Sequence, residues 1–196
     1  PDGTEADSFS ARDLSEHLEL EPIEASYSDG ILFRGQILRA NSLARLNLLP
    51  EMGTPVADGL LARFRSEWGY PAHAILLFDL ARCIELIYCL ERAVELLETD
   101  LSHAELRAPC GGMEGEGYGL VEAPRGPLIH HYVISGGLVE RARFVIPTQY
   151  NILAIERALE VAARRYITDA GINLELERAV GRVVRAFDPC IACATH

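Results

Sequence analysis

Residues 73–98, HAILLFDLARCIELIYCLERAVELLE, decide the class of fold. Leu80, Cys83, Ile87, Leu90, Val94 and Leu97 step by three and four, which lines them along one face of a helix. Leu86, Cys89, Ala93 and Leu96 form a second stripe beside it. A helix this apolar is expected to be mostly buried, with Cys83 and Cys89 as small core residues. Those two cysteines lie six residues apart, about 240° around the helix, so they cannot chelate one ion together.

Outward from this helix the pattern is mixed. Upstream, VADGLLARFRSEWGY (56–70) has helical spacing, and GILFRGQILRANSLARLN (30–47) reads as short extended pieces leading into a turn. Residues 1–30 are acidic and weakly patterned, and read as a loop or mobile arm ahead of a single unit over 31–196. Downstream, PCGGMEGEGYGLVEAPRGP (109–127) holds six glycines and three prolines, tightly turned backbone with a short strand at YGLVEA. IHHYVI and LVERARFVI flank SGG, a hairpin in which His130 and His131 alternate across the strand. Ile152, Ile155, Leu159, Ala162 and Tyr166 mark another helix that Gly171 can stop. Asn173 can cap the next, which runs through Leu176, Val180, Val183 and Phe187. The expected fold class is α+β and helix-rich: a long buried helix, a small antiparallel sheet or hairpin, and C-terminal helices.

Composition narrows the chemistry. The net charge of −11 leaves no basic stripe for nucleic acid. All 18 basic residues are Arg, and without Lys there is no Schiff base, Walker-type phosphate loop or kinase chemistry. No apolar run reaches the roughly 18 residues a transmembrane helix needs, and the polar start is no signal peptide. That start also lacks Met, which points to a fragment or a processed terminus. Five unevenly spaced cysteines do not form a secreted disulfide framework; a reducing, cytoplasmic setting is expected.

The chain closes on DPCIACATH (188–196). Cys190 and Cys193 are spaced to grip one soft metal or to form a disulfide, and His196 adds a third ligand type. A zinc clip needs four ligands, and Cys110 is the only remaining candidate in a loop. On spacing alone, a metal site, a thiol-redox pair and an incidental tail all stay open.

DPCIACATH resembles the Asp-Pro-Cys-x-x-Cys-x-x-His signature of the large, catalytic subunit of nickel–iron hydrogenases. EAPRG (122–126), followed by Leu128 and His130, resembles that family's arginine loop, and PTQYN (147–151) its Pro-Thr-x-aromatic-Asn segment. LARLN (43–47) resembles an upstream segment. The motifs occur in the family's order, and the resemblance covers nearly the whole chain but only the C-terminal half of such a large subunit.

The resemblance implies a nickel–iron centre, the iron carrying CO and cyanide, for reversible heterolytic cleavage of H2. Cys190 would be a terminal nickel thiolate and Cys193 a thiolate bridging nickel to iron. Arg125 would overhang the open metal face, Pro124 would line the same canopy, and Asp188 would hold the arginine. His196, with the backbone carbonyl of Ile152, would bind a separate structural Mg or Fe ion. Implied partners are the missing N-terminal half, a small subunit with iron–sulfur clusters, and further electron-transfer subunits. Tyr150, where many members have Trp, together with ILAIERA after it, points to the soluble, cytoplasmic branch.

Against this, Arg125 could simply pair with Glu122 across its turn, and His130 could be structural support alone. The N-terminal pair of thiolates that completes the family's cage has no match here, since Cys83, Cys89 and Cys110 are wrongly spaced. The expectation is therefore a chain that is inactive by itself. The rival readings are a complex I-type homologue, a non-catalytic scaffold, and a small zinc or thiol-redox module. The first lacks the metal cysteines that are retained here.

Overall fold

The computed structural model describes residues 8–195, except positions 25, 101, 103, 104, 106, 108–110 and 170. The elements run α1 (Leu14–His17), β1 (Leu18–Glu21), β2 (Gly30–Phe33), β3 (Gln36–Ile37), α2 (Ser42–Leu48), α3 (Pro55–Trp68) and α4 (Leu77–Leu97). They continue as β4 (Gly115–Ala123), β5 (Gly126–Ser135), β6 (Leu138–Val145), α5 (Gln149–Tyr166), α6 (Leu174–Phe187) and α7 (Ile191–Ala194). The mixed, helix-rich class read from the sequence is the one observed.

Local chemistry explains the element ends. Pro55 opens α3, and Glu91 reaches across from α4 to accept from Val56 N–H and Ala57 N–H, both at 3.0 Å. Asn173 caps α6, its side-chain oxygen accepting from Leu176 N–H at 2.9 Å. The β5–β6 turn needs left-handed backbone at two successive positions, and Gly136 and Gly137 supply it at φ 57° and 76°. Each sheet is antiparallel and three-stranded, in the orders β1–β2–β3 and β4–β5–β6.

Two apolar clusters hold the layers. One joins Leu43 and Leu46 of α2, Leu61 and Phe64 of α3, Phe78, Ala81 and Ile84 of α4, and Val183 and Phe187 of α6. Phe78 meets Phe187 edge-to-face at 5.1 Å. The other joins Leu14, Leu18, Ile31, Ile129, Val145 and Tyr150, and so ties both sheets together.

Four expectations need correction. The long helix exists, but only Leu77, Phe78, Ala81 and Ile84 in its first turns are buried. Beyond Ile84 none of its residues is buried, although Glu91 still reaches the start of α3, and Leu90, Val94 and Leu97 stand 57%, 60% and 86% exposed. Cys83 and Cys89 are exposed free thiols rather than core residues, because the buried edge of the helix lies beside the stripe that carries Cys83. Residues 42–48 form a helix where a turn was expected, with the Asn41 side chain accepting from Ser42 N–H. Residues 11–21, expected as loop or mobile arm, form a helical turn and strand, because Leu14 and Leu18 fill the second core. Cys110 lies outside the described residues.

Candidate metal centre

The end of α6 sets the geometry. Its last carbonyls have no helical donors and are met by side chains from distant elements. Arg82 of α4 donates to Ala186 O at 2.7 Å and Arg185 O at 2.8 Å, and Asn41 Nδ2 donates to Phe187 O at 3.1 Å. The chain then turns at Asp188, which is left-handed at φ 48°, ψ 55°. A non-glycine residue there is uncommon, and Asp is among the few that tolerate it. The turn points the 190–193 segment away from the axis of α6, and Cys190 N–H donates to Thr148 Oγ1 at 3.1 Å.

Arg125 sits in the two-residue turn between β4 and β5. Its Nη2 donates to Asp188 Oδ2 at 2.7 Å, and its Nε also donates to the Asp188 carbonyl. The pairing of Arg125 with Glu122 weighed from the sequence is not what forms. Glu122 pairs instead with Arg45 at 2.5 Å, and Arg125 with Asp188.

The turn itself is clamped. Arg45 of α2 is paired with Glu85 through two nitrogens, at 2.5 and 2.8 Å. It also donates to Ala123 O at 3.2 Å and Pro124 O at 2.8 Å. Burial opposes the Arg45 cation, but Glu85 and then Glu122 outweigh it and hold the guanidinium more firmly protonated. From the other side, Asn151 Nδ2 donates to Arg125 O at 2.9 Å while its Oδ1 accepts from Ala40 N–H at 3.0 Å. Gly126 completes the fit: a Cβ there would meet the Ala40 Cβ at 2.8 Å.

The structure therefore brings together Pro124, Arg125, Asp188 and Cys190 of the expected site. It adds Arg45, Glu85, Asn41, Thr148 and Asn151, to which sequence reading gave no role. Arg45, Thr148 and Asn151 lie inside quoted motifs, which was the available signal. Their contacts are long-range, and no spacing rule reaches that far. His130 is half-buried, its Nδ1 3.1 Å from Tyr132 Oη and its ring edge-on to Phe144.

The cysteines stand as a disulfide, Cys190 to Cys193, with Cα atoms 5.4 Å apart. In that form neither sulfur is a thiolate. Two-electron reduction would give two soft donors aimed at one point, which suits half of a four-thiolate cage in donor type though not in number. Among the described residues no three His, Cys, Asp or Glu side chains gather to hold a metal ion. His196 lies outside the described residues. Ile152 falls in the first turns of α5, where a carbonyl points along the axis into the helix's own hydrogen-bond ladder.

A profile of the nickel-dependent hydrogenase family matches residues 77–196. The chain is 37% identical over 178 residues to an F420-non-reducing hydrogenase subunit of Methanothermobacter thermautotrophicus, covering 88% of this chain and 36% of that one. It is 35% identical to the alpha subunit of sulfhydrogenase 2 of Pyrococcus furiosus, covering 89% and 42%. A crystal structure of an NAD+-reducing nickel–iron hydrogenase in the H2-reduced state superposes with a TM-score of 0.86 at 31% identity, covering 96% of this chain and 43% of that one. The chain thus spans about two fifths of the length of the relatives it matches.

Proposed function

The chain belongs to the nickel-dependent hydrogenase family, and from that premise we propose that it supplies part of a centre for reversible, heterolytic H2 cleavage. Cys190 and Cys193, reduced, provide two thiolates for nickel and iron, and polypeptide beyond these 196 residues provides the other two. The observation that carries this reading is the meeting of Arg125 with Asp188, two residues before Cys190, which joins motifs 63 positions apart.

When bound, the nickel–iron group, its iron carrying CO and cyanide, supplies the Lewis acidity and electron sink for splitting H2. This chain's residues do the rest. Cys190 Sγ, as a thiolate, accepts the proton. Arg125 presents a cation that cannot readily be deprotonated, so it polarises without giving charge away. Asp188 fixes that guanidinium, and Asn151 fixes the backbone beneath it. Pro124 offers no N–H and presents an apolar wall; its carbonyl is already taken by Arg45. His196 would serve a separate Mg or Fe ion, and the Ile152 carbonyl, bonded within α5, would reach that ion through its second lone pair.

The exposed apolar length of α4 supports a further polypeptide packing there. The remaining proposed partners are a small iron–sulfur subunit, with other electron-transfer subunits, in a cytoplasmic setting reducing enough to keep the thiols open. A complex I-type homologue would lack the two cysteines. One observation favours a second reading, a thiol-redox module: the disulfide straddles the start of α7.

The test is hydrogen-dependent viologen reduction. The 196-residue chain alone is expected to show none; the assembled enzyme is expected to be active, and to lose activity on Cys190→Ser. In that assembly Arg125→Lys should lower the rate by about 10²-fold or more with nickel retained. Turnover by the chain alone, or full activity in Cys190→Ser, would contradict the proposal.

A further inference from the structure

On the sheet formed by β4, β5 and β6, one face carries two adjacent cross-strand rows. The register sets Tyr118 opposite His131 and His131 opposite Arg143, with Glu116, Val133 and Arg141 in the next row. Arg12, from the turn before α1, closes over them to complete a cavity of about 250 Å³. Its floor is core: Leu14, Ile129 and Val145 are 4%, 4% and 3% exposed.

The charges in this cavity do not balance. Three arginines face one carboxylate. Glu116 is already engaged, its Oε1 2.6 Å from His131 Nε2 and 3.1 Å from Tyr118 Oη. Those two contacts, with smaller help from Arg12, hold the Glu116 carboxyl below the usual glutamate range. The rings of Tyr118 and His131 stack at 4.2 Å, nearly parallel, as one wall. Arg12, Arg141 and Arg143 make no ion pair with any described residue. Arg12 acts on Glu116 only at longer range, and Glu116 is the single acidic side chain that lines the cavity beside three guanidinium groups. A cavity lined mainly by one sign of charge over an apolar floor favours an ion of the opposite sign.

We propose that this cavity is an anion-binding site for a phosphate group, independent of the nickel chemistry. A planar carboxylate has two oxygens and satisfies one guanidinium fork, whereas a tetrahedral phosphate offers three or four oxygens to several forks at once. The apolar floor excludes water beneath the anion and strengthens each charge-assisted contact. The stacked Tyr118–His131 wall bounds the space into which an ester substituent extends. Two sources share this chemistry, free inorganic phosphate and the phosphate of a nucleotide.

Calorimetric titration of the 196-residue chain with inorganic phosphate, and separately with AMP, tests the site. Saturable binding with a Kd below about 1 mM is expected for at least one of them. AMP tighter by about tenfold would identify a nucleotide source, and equal affinity would identify free phosphate. The double variant Arg141→Gln/Arg143→Gln should weaken binding by about tenfold or more, with its thermal midpoint checked against wild type. Arg63→Gln, whose residue among the described residues makes only a 3.9 Å contact to Glu67, should bind as wild type does. The proposal is overturned by no saturable binding of either ligand up to about 10 mM, by undiminished affinity in the folded double variant, or by an equal loss in Arg63→Gln.

Discussion

Arg45 carries more of the candidate site than any residue whose role could be read from the sequence. It binds Glu85, Glu122 and two backbone carbonyls of the arginine turn. Its side chain and that of Glu85 are each only 18% exposed, so removing one partner strands the other in a half-buried setting. Arg45→Met should cost about 1–3 kcal/mol by chemical denaturation, and Arg45→Met/Glu85→Met less than the sum of the single changes. Equal additivity would show that the pair is not coupled. Tyr150 presents the reverse situation. It is 5% exposed, its hydroxyl has no hydrogen-bond partner among the described residues, and burial, then the nearby Glu122, pushes the phenol up from its usual range. Tyr150→Phe removes an unsatisfied buried group, so it should be neutral or stabilising by up to about 1 kcal/mol in thermal melts. A clear loss of stability would mean that the hydroxyl has a partner. The motif spacing exposed Arg125, Asp188 and Cys190, because those residues repeat a recognisable pattern. It could not expose Arg45 with Glu85, whose meeting across 40 positions depends on how α2 packs against α4.

At the scale of elements, the N-terminus of α3 depends on a residue of another helix. Glu91 is partly desolvated, which opposes its charge. The hydrogen bonds from Thr54, Val56 and Ala57 prevail and hold its carboxyl below the usual range. A depressed folded-state pKa gives stability that is present above the unfolded glutamate value and lost as pH falls through the lower folded value. Glu91→Gln should therefore be less stable than wild type at neutral pH, and the gap should close on acidification below about pH 4. A gap that is independent of pH would contradict the charged cap. Between β2 and α5 the contact is tight. A Cβ on Gly30 would lie 2.6 Å from Leu153 Cγ, a branch point rather than a flexible end. Gly30→Ala should lower stability by about 1–3 kcal/mol in denaturant titrations, and an unchanged midpoint would show that α5 can shift. Helices α3, α5 and α6 were legible because their apolar residues repeat with the helical period. Helix α2 was not: its seven residues are too few to establish a period, and Asn41 commits its side chain to the cap and to Phe187 O together.

Across the whole molecule, two clusters hold α2, α3, α4 and α6 against one another and join the two sheets, while much of the length of α4 lies outside both. The heptad-like stripe on α4 was visible in the sequence, but periodicity says only which residues share a face. It does not say what covers that face, and here the described residues leave it exposed. The same limit applied at the chain end. Cys-x-x-Cys spacing allowed a metal site or a disulfide, and the structure shows the disulfide, whereas the proposed nickel site needs reduced thiolates. The claim that decides between them is that Cys190 and Cys193 furnish two sulfur ligands to nickel in the assembled enzyme. Nickel-edge X-ray absorption of that assembly, with and without Cys193→Ser, measures it directly. An all-sulfur nickel shell that loses one sulfur in the variant is expected. A sulfur count unchanged by the substitution, or nickel bound without sulfur from this chain, would contradict it.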